Sequence, residues 1–235
     1  MEILIVSSSF PEIQPLVSEM ELVSNLETNY ARFRFQEREL DVLVAGVGTG
    51  MVACRVTRAL KEKRYDKVLN VGYCASFRSN PMVGTVVNVL DDQFGDVGME
   101  DANGFTSSFE MGVVSDNEFP FNGGVLENNE SIPHCLANLP RVAGVTLNTL
   151  IGWSGRIQEV FDYFEADVVS QDGAAVSYAC LWEKVPCFQI RVVHSMLGYS
   201  DQSKSPEESH ALPLCDTLKN ILVHWFTESI VVLNE

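Results

Sequence analysis

Three groups of residues in this chain have types and spacings that could do chemistry. Asp172 stands directly before Gly173-Ala174-Ala175, and Arg191-Val192-Val193-His194-Ser195 follows about twenty residues later. An acid before a Gly-Ala-Ala run is placed to open a helix, with its carboxylate near the positive end of the helix dipole. The third group is Glu12, just past the apolar run Ile3-Leu4-Ile5-Val6. A carboxylate there can act as a general base that polarises water, provided it points into the ligand crevice at the strand ends of an open sheet. On position alone, each has a plainer reading. Asp172 reads as a helix N-cap, Glu12 as an exposed solvating glutamate, and His194 as a hydrogen-bonded histidine at a strand end. Ser195 has no nucleophile-elbow pattern around it and no triad partners.

The elements that must position these residues follow from hydrophobic patterning. Ile3 to Val6 is a short β-branched strand ending at Ser7-Ser8-Ser9. Pro11 suits a first helical turn, and Glu12, Leu16 and Met20 continue at helical spacing. Residues 32–37 alternate as a half-exposed strand, and 41–45 read as a central one. Gly46-Val47-Gly48-Thr49-Gly50 then leads into a helix over 51–63 with a basic exposed face. A dinucleotide fingerprint needs GxGxxG with an acid after the next strand; here the third glycine is misplaced and Asn70 stands in that region, so a tight turn is the reading. Residues 67–72 form a buried strand running into a small-residue loop at Tyr73-Cys74-Ala75-Ser76, and 83–90 form another.

The segment 95–138 is polar and rich in Gly, Asn and Pro. Strand character resumes over 141–148, and 187–193 form a buried strand. Residues 155–164 and 209–229 read as helices. Strands alternating with helices imply a single-domain, three-layer α/β/α fold over residues 1–235, with a mixed, largely parallel central sheet.

A net charge of −16 over 235 residues argues against nucleic acid or an anionic membrane as partner, since both select basic surfaces. The six cysteines lack CxxC or CxxH spacing, so neither a disulfide framework nor a zinc site is expected. The early acid and short apolar run at the N-terminus suit a first strand better than a signal peptide, and no stretch is long enough to span a bilayer. Together these features imply a soluble protein of a reducing compartment.

Taken in order, the segments resemble the purine nucleoside phosphorylase and nucleosidase superfamily, and within it the futalosine hydrolases and methylthioadenosine/S-adenosylhomocysteine nucleosidases. The likeness runs nearly the whole chain: Glu12, Gly46-Val47-Gly48, Asn70 to Phe77, Val83 to Val89, Gly144 to Thr149, Asp172 to Ala175, and Val185-Pro186 with the Arg191 strand. Asn70-Val71-Gly72 and Phe94 to Asp101 lean toward futalosine hydrolase. The resemblance implies water-dependent cleavage of a purine N-glycosidic bond, with no cofactor and no metal. The expected substrate is futalosine, split to dehypoxanthine futalosine and hypoxanthine in menaquinone biosynthesis. Methylthioadenosine or S-adenosylhomocysteine hydrolysis, and an inactive nucleoside-binding protein, are the alternatives.

By the same resemblance Glu12 activates water, and Ser76 with the neighbouring backbone, including Ala75, places it. Asp172 binds the ribose hydroxyls beside Gln171, the backbone of Leu150 contacts the base, and Ser195 addresses the purine ring. A cytoplasmic homodimer is implied as well. Three departures from the family pattern stand out. Met-Glu has become Gln171-Asp172, shortening the carboxylate by a methylene. The usual Asp or Asn is Ser195, which cannot supply a carboxylic-acid proton, although Asp201 is near enough in sequence to be recruited. Ala75 replaces a glycine. The phosphate-binding arginines of the phosphorylases are missing from 7–12 and from the loop up to Ser76, with Arg78 lying beyond it, so water is the expected acceptor.

Overall fold

The computed structural model describes residues 1–102, 104–128, 131–198 and 208–231. Twelve strands and five α-helices follow one another as β1 (Ile3–Ser7), α1 (Phe10–Val17), β2 (Glu21–Glu27), β3 (Tyr30–Phe35), β4 (Arg38–Val44), α2 (Thr49–Glu62) and β5 (Lys67–Ser76). Then come β6 (Val86–Phe94), the hairpin β7 (Gly98–Asp101) and β8 (Gly104–Ser107), β9 (Leu126–Glu127), β10 (Arg141–Thr146) and α3 (Ser154–Phe164). The last elements are β11 (Val168–Ser170), α4 (Gly173–Glu183), β12 (Cys187–Met196) and α5 (Glu208–Val231).

The main sheet runs β11-β10-β6-β12-β5-β1-β4-β3-β2, and β9 adds to β6. It is mixed, as expected, but not largely parallel: β1 pairs in parallel with β4 and β5, and β12 with β5, whereas β12–β6, β2–β3, β3–β4 and β6–β9 are antiparallel. β11 also pairs antiparallel with β5, through Val168↔Ser76 and Val169↔Ala75. That contact closes β11, β10, β6, β12 and β5 into a ring, and β1 to β4 fan out from it.

Alternation along the strands sets the layers. Ile3, Ile5, Leu69, Val71, Ile190 and Val192 pack with Ile13 and Leu16 of α1 and with Leu218, Leu222 and Trp225 of α5. Leu4, Val6, Leu43 and Val68 pack on the opposite face with Val52 and Val56 of α2 and Val176 and Cys180 of α4. Strands buried on both faces become near-continuous apolar runs, which is why β1 and β5 were readable.

Several expectations need correction. Tyr73-Cys74-Ala75-Ser76 is not a loop: β5 continues to Ser76, because Tyr73 and Cys74 pair with Val192 and Val193 of β12 while Ala75 and Ser76 pair with β11. α1 stops at Val17, so Met20 lies past its end and only packs against the core. Glu21–Glu27 is a strand exposed along its whole length, and so carries no burial pattern to read. The glycine-rich turn does what bare glycines suggest: Gly46 and Gly48 take left-handed φ of +90° and +94°, and Gly50 lies within α2. The segment 95–138 contributes the β7–β8 hairpin, β9 and a short 3-10 turn at His134–Leu136.

Candidate active site

Glu12 lies in the first turn of α1 and is buried. Ser9 holds the N-cap position of that helix but makes no side-chain cap bond; its hydroxyl donates to Glu12 Oε1 at 2.5 Å. The Tyr73 backbone N–H donates to Oε2 at 3.0 Å. Burial pushes the carboxyl up to about 7, against the hydrogen bonds from Ser9 and Tyr73 and the charge of Arg191, with Asp172 adding to the rise. A carboxylate held near neutrality is suited to exchange a proton with water. The exposed-glutamate reading is therefore set aside.

Asp172 is the N-cap residue of α4 by position, yet its side chain makes no cap bond. Its Oδ2 instead accepts from Nη2 of Arg191 at 2.8 Å. Arg191 is fully buried, and its Nε and Nη1 have no protein partner among the described residues. The neighbouring carboxylate holds the guanidinium above its ordinary range despite desolvation. A buried charge persists only where it is paired, so the ion pair is the condition for having Arg191 inside the sheet.

Arg191 lies opposite Gly72 on β5. A Cβ on residue 72 would come within 2.0 Å of Glu12 Oε2 and 2.8 Å of Arg191 Nη1. The bare backbone at Gly72 thus leaves the room that both Glu12 and Arg191 occupy. Helix α1, strand β5, strand β12 and the start of α4 converge there, and the structure brings Glu12 within electrostatic reach of the Asp172–Arg191 pair.

Ser195 follows a bulge in β12, where the register to β5 shifts between Val193 and Ser195. The bulge lets His194 stack on Tyr73 at a centroid separation of 5.6 Å and returns Ser195 to a buried position opposite Ala75. Ser195 Oγ has no protein partner among the described residues, and Ser76 Oγ donates to the Ser195 carbonyl at 3.5 Å. The Ala75 methyl packs among Val145, Leu147, Val169 and Leu197, with Leu150 against the same cluster. Gln171 Nε2 donates to the Asn148 carbonyl at 3.0 Å, and the Gln171 carbonyl accepts from Gly48 at 3.2 Å. Leu150 and Gln171 thus sit on connecting segments, with Gln171 directly before Asp172. Arg78 is exposed, with its guanidinium over the Phe161 ring at 3.8 Å. Asp201 lies outside the described residues.

The sequence marks the Arg191 strand without a role for Arg191, and it places Ser9 only in the break after the first strand, not as the partner of Glu12. The available signal was a lone cation inside the apolar run Phe188 to Val193: such a charge must meet a carboxylate when the run becomes a central strand.

No protein-family model matches this chain, and no curated protein sequence is similar to it. Solved structures are similar in fold. Native futalosine hydrolase of Helicobacter pylori superposes with a TM-score of 0.78 at 17% identity, covering 95% of this chain and 98% of that one. The methylthioadenosine/S-adenosylhomocysteine nucleosidase of Helicobacter pylori, complexed with a pyrrolidine-based ligand, gives 0.79 at 17%, with the same coverage. The corresponding Campylobacter jejuni nucleosidase gives 0.75 at 17%, covering 94% and 98%. The chain therefore has the mixed α/β fold shared by these nucleosidases over almost its whole length.

Proposed function

We propose that the protein is a nucleosidase that hydrolyses the N-glycosidic bond of a purine nucleoside, with futalosine as substrate and hypoxanthine as the released base. The observation that carries this reading is the buried Glu12 carboxyl, poised at about 7 beside the Asp172–Arg191 pair. Water attacks the anomeric carbon as the bond to the base breaks, and Glu12 takes a proton from that water. Asp172 accepts the ribose hydroxyls, and that contact strengthens as the sugar becomes cationic. The departing base leaves with the bonding electron pair and regains a proton on a ring nitrogen. No metal or redox group enters this scheme.

Water rather than phosphate is the acceptor in this reading. Arg191 is neutralised by Asp172, and Arg78 is stacked on Phe161, so neither is a free cation at Glu12. Ser195 sets the choice of base. Its hydroxyl is buried and has no partner among the described residues; it can donate or accept a hydrogen bond but not supply a carboxylic-acid proton. A 6-oxopurine departs more readily than adenine without full ring protonation, which favours hypoxanthine. The fold alone does not separate the two substrates, since both nucleosidase types superpose equally well.

The reading extends to a cytoplasmic homodimer acting in menaquinone biosynthesis. The test is incubation with futalosine, methylthioadenosine and S-adenosylhomocysteine, with free hypoxanthine separated from free adenine. Release of hypoxanthine alone is expected. Adenine release equal to or above it overturns the substrate, and binding without any release leaves an inactive nucleoside-binding protein.

A further inference from the structure

Asp92 is a buried carboxyl that the proposed mechanism does not use. It lies on β6 with 1% of its surface exposed. Its Oδ1 accepts from the Gln93 backbone N–H at 2.9 Å and from the Thr146 hydroxyl at 2.9 Å. Its Oδ2 accepts from Gln189 Nε2 at 3.0 Å.

These two side-chain partners reach the two elements that carry the ion pair. Thr146 Oγ1 accepts the Ala174 backbone N–H at 2.8 Å, in the first turn of α4. Ser170 Oγ accepts the Gly173 N–H at 3.1 Å and lies 3.3 Å from Thr146 Oγ1. Because the single Thr146 proton points to Asp92, the Ser170 proton faces the Thr146 oxygen. The opening amides of α4 are therefore capped from beneath, by hydroxyls anchored on Asp92. That satisfies donors which an N-cap side chain ordinarily serves, and it frees Asp172 to turn to Arg191. Gln189, the other partner, is two residues from Arg191 on β12, and alternation puts both on the same face. The packing is tight: a Cβ on Gly173 would come within 2.2 Å of Asp92 Oδ2 and 2.5 Å of Gln189 Nε2.

We propose that Asp92 is a positioning residue for the active site, one buried group that sets both α4 with Asp172 and β12 with Arg191. The proposal rests on the nucleosidase reading for its consequence in catalysis, but not for its geometry.

Thr146→Val removes the helix arm while keeping the side-chain shape, and Gln189→Leu removes the strand arm. Thr146→Ser restores the hydroxyl. In ¹⁵N-labelled protein, Thr146→Val and Gln189→Leu should each shift the Arg191 side-chain resonances, and Thr146→Ser should return them. In nucleoside hydrolysis, kcat should fall about ten- to a hundred-fold in each disrupting variant, as expected for misplacement of a positioning group. KM should change less, and Thr146→Ser should recover both. If either arm variant leaves the Arg191 resonances where they are in the wild type, the proposal is wrong, whatever the kinetics. Should the wild type hydrolyse no nucleoside, the nucleosidase reading falls, and the resonances still decide the positioning role. Should one arm variant fail to fold, the other carries the same comparison.

Discussion

Asp41 and Glu12 are two buried carboxylates set in opposite electrostatic states. Asp41, on β4, is surrounded by Arg32 at 2.8 and 3.2 Å, Lys63 at 2.8 Å and the Tyr65 hydroxyl at 2.7 Å. Burial alone would raise it, but these hydrogen bonds outweigh desolvation and hold it below the ordinary carboxylate range. Among the described residues Glu12 has hydrogen bonds only from a hydroxyl and a backbone N–H, and the nearby cation, Arg191, is already bonded to Asp172. Desolvation wins there, and the carboxyl rises to about 7. Burial with full cationic pairing fixes a charge and serves the fold. Burial with partial pairing leaves a group able to exchange a proton.

The largest effect that would break this contrast is on rate. Glu12→Gln keeps the shape but removes the base, so hydrolysis should fall about a hundred- to ten-thousand-fold while a substrate analogue still binds. Steady-state kinetics with calorimetric binding checks it, and wild-type turnover in the variant would dismiss Glu12.

Asp172→Ala should cost stability as well as activity, because it strands the fully buried Arg191. The expected loss is about 3–5 kcal/mol, read from denaturant unfolding. A helix-cap loss alone would be about 1 kcal/mol, so the size of the change separates the two roles.

The pH dependence should invert the usual expectation for carboxylates. A group whose pKa rises on folding adds stability that is complete below its unfolded value and lost as pH climbs through the folded one. For Glu12 that window runs from its ordinary 4.5 to about 7 and is worth roughly 3 kcal/mol. Asp92, pushed up to about 7 by burial against the Gln189 and Thr146 hydrogen bonds, acts in the same direction. Denaturation should therefore show a more stable protein at pH 5 than at pH 8, while hydrolysis rises with pH through the same window. Glu12→Gln should reduce that stability difference; an unchanged difference would mean that Glu12 does not cause it. Asp41 has the opposite sign, and its contribution is lost only in acid.

Asp41→Ala sharpens the contrast from the other side. Arg32 and Lys63 are about a quarter exposed and can rehydrate, so the expected loss is about 1–3 kcal/mol with kcat unchanged. A fall in kcat at constant fold would show that the cluster is more than structural.

The smallest effect concerns specificity. Ser195→Asn should preserve or improve futalosine cleavage, whereas Ser195→Asp should shift preference toward methylthioadenosine by supplying a proton to adenine. Kinetics on both substrates for the three proteins read the ratio, and a ratio that does not move would remove Ser195 from base recognition.

Much of the fold was legible in the residues. The apolar runs of β1, β5 and β12 announce doubly covered strands, and the glycines at 46 and 48 announce a turn, because burial period and backbone freedom are local properties. Glu12 and Asp172 could be named as candidates from the helix starts they occupy. What they do there was not local. Whether Asp172 caps its helix or pairs with Arg191 depends on Thr146 and Ser170 having taken the capping role, and those residues come from two other strands. The strand continuing through Tyr73 to Ser76 likewise exists because β11 and β12 supply the partners for its backbone. Periodicity determined the layers, and position at the helix starts marked the candidate carboxylates. Only the closure of the ring, by bringing Gly72, Arg191 and Asp172 together in one buried place, decided which carboxylate is paired and which is left poised.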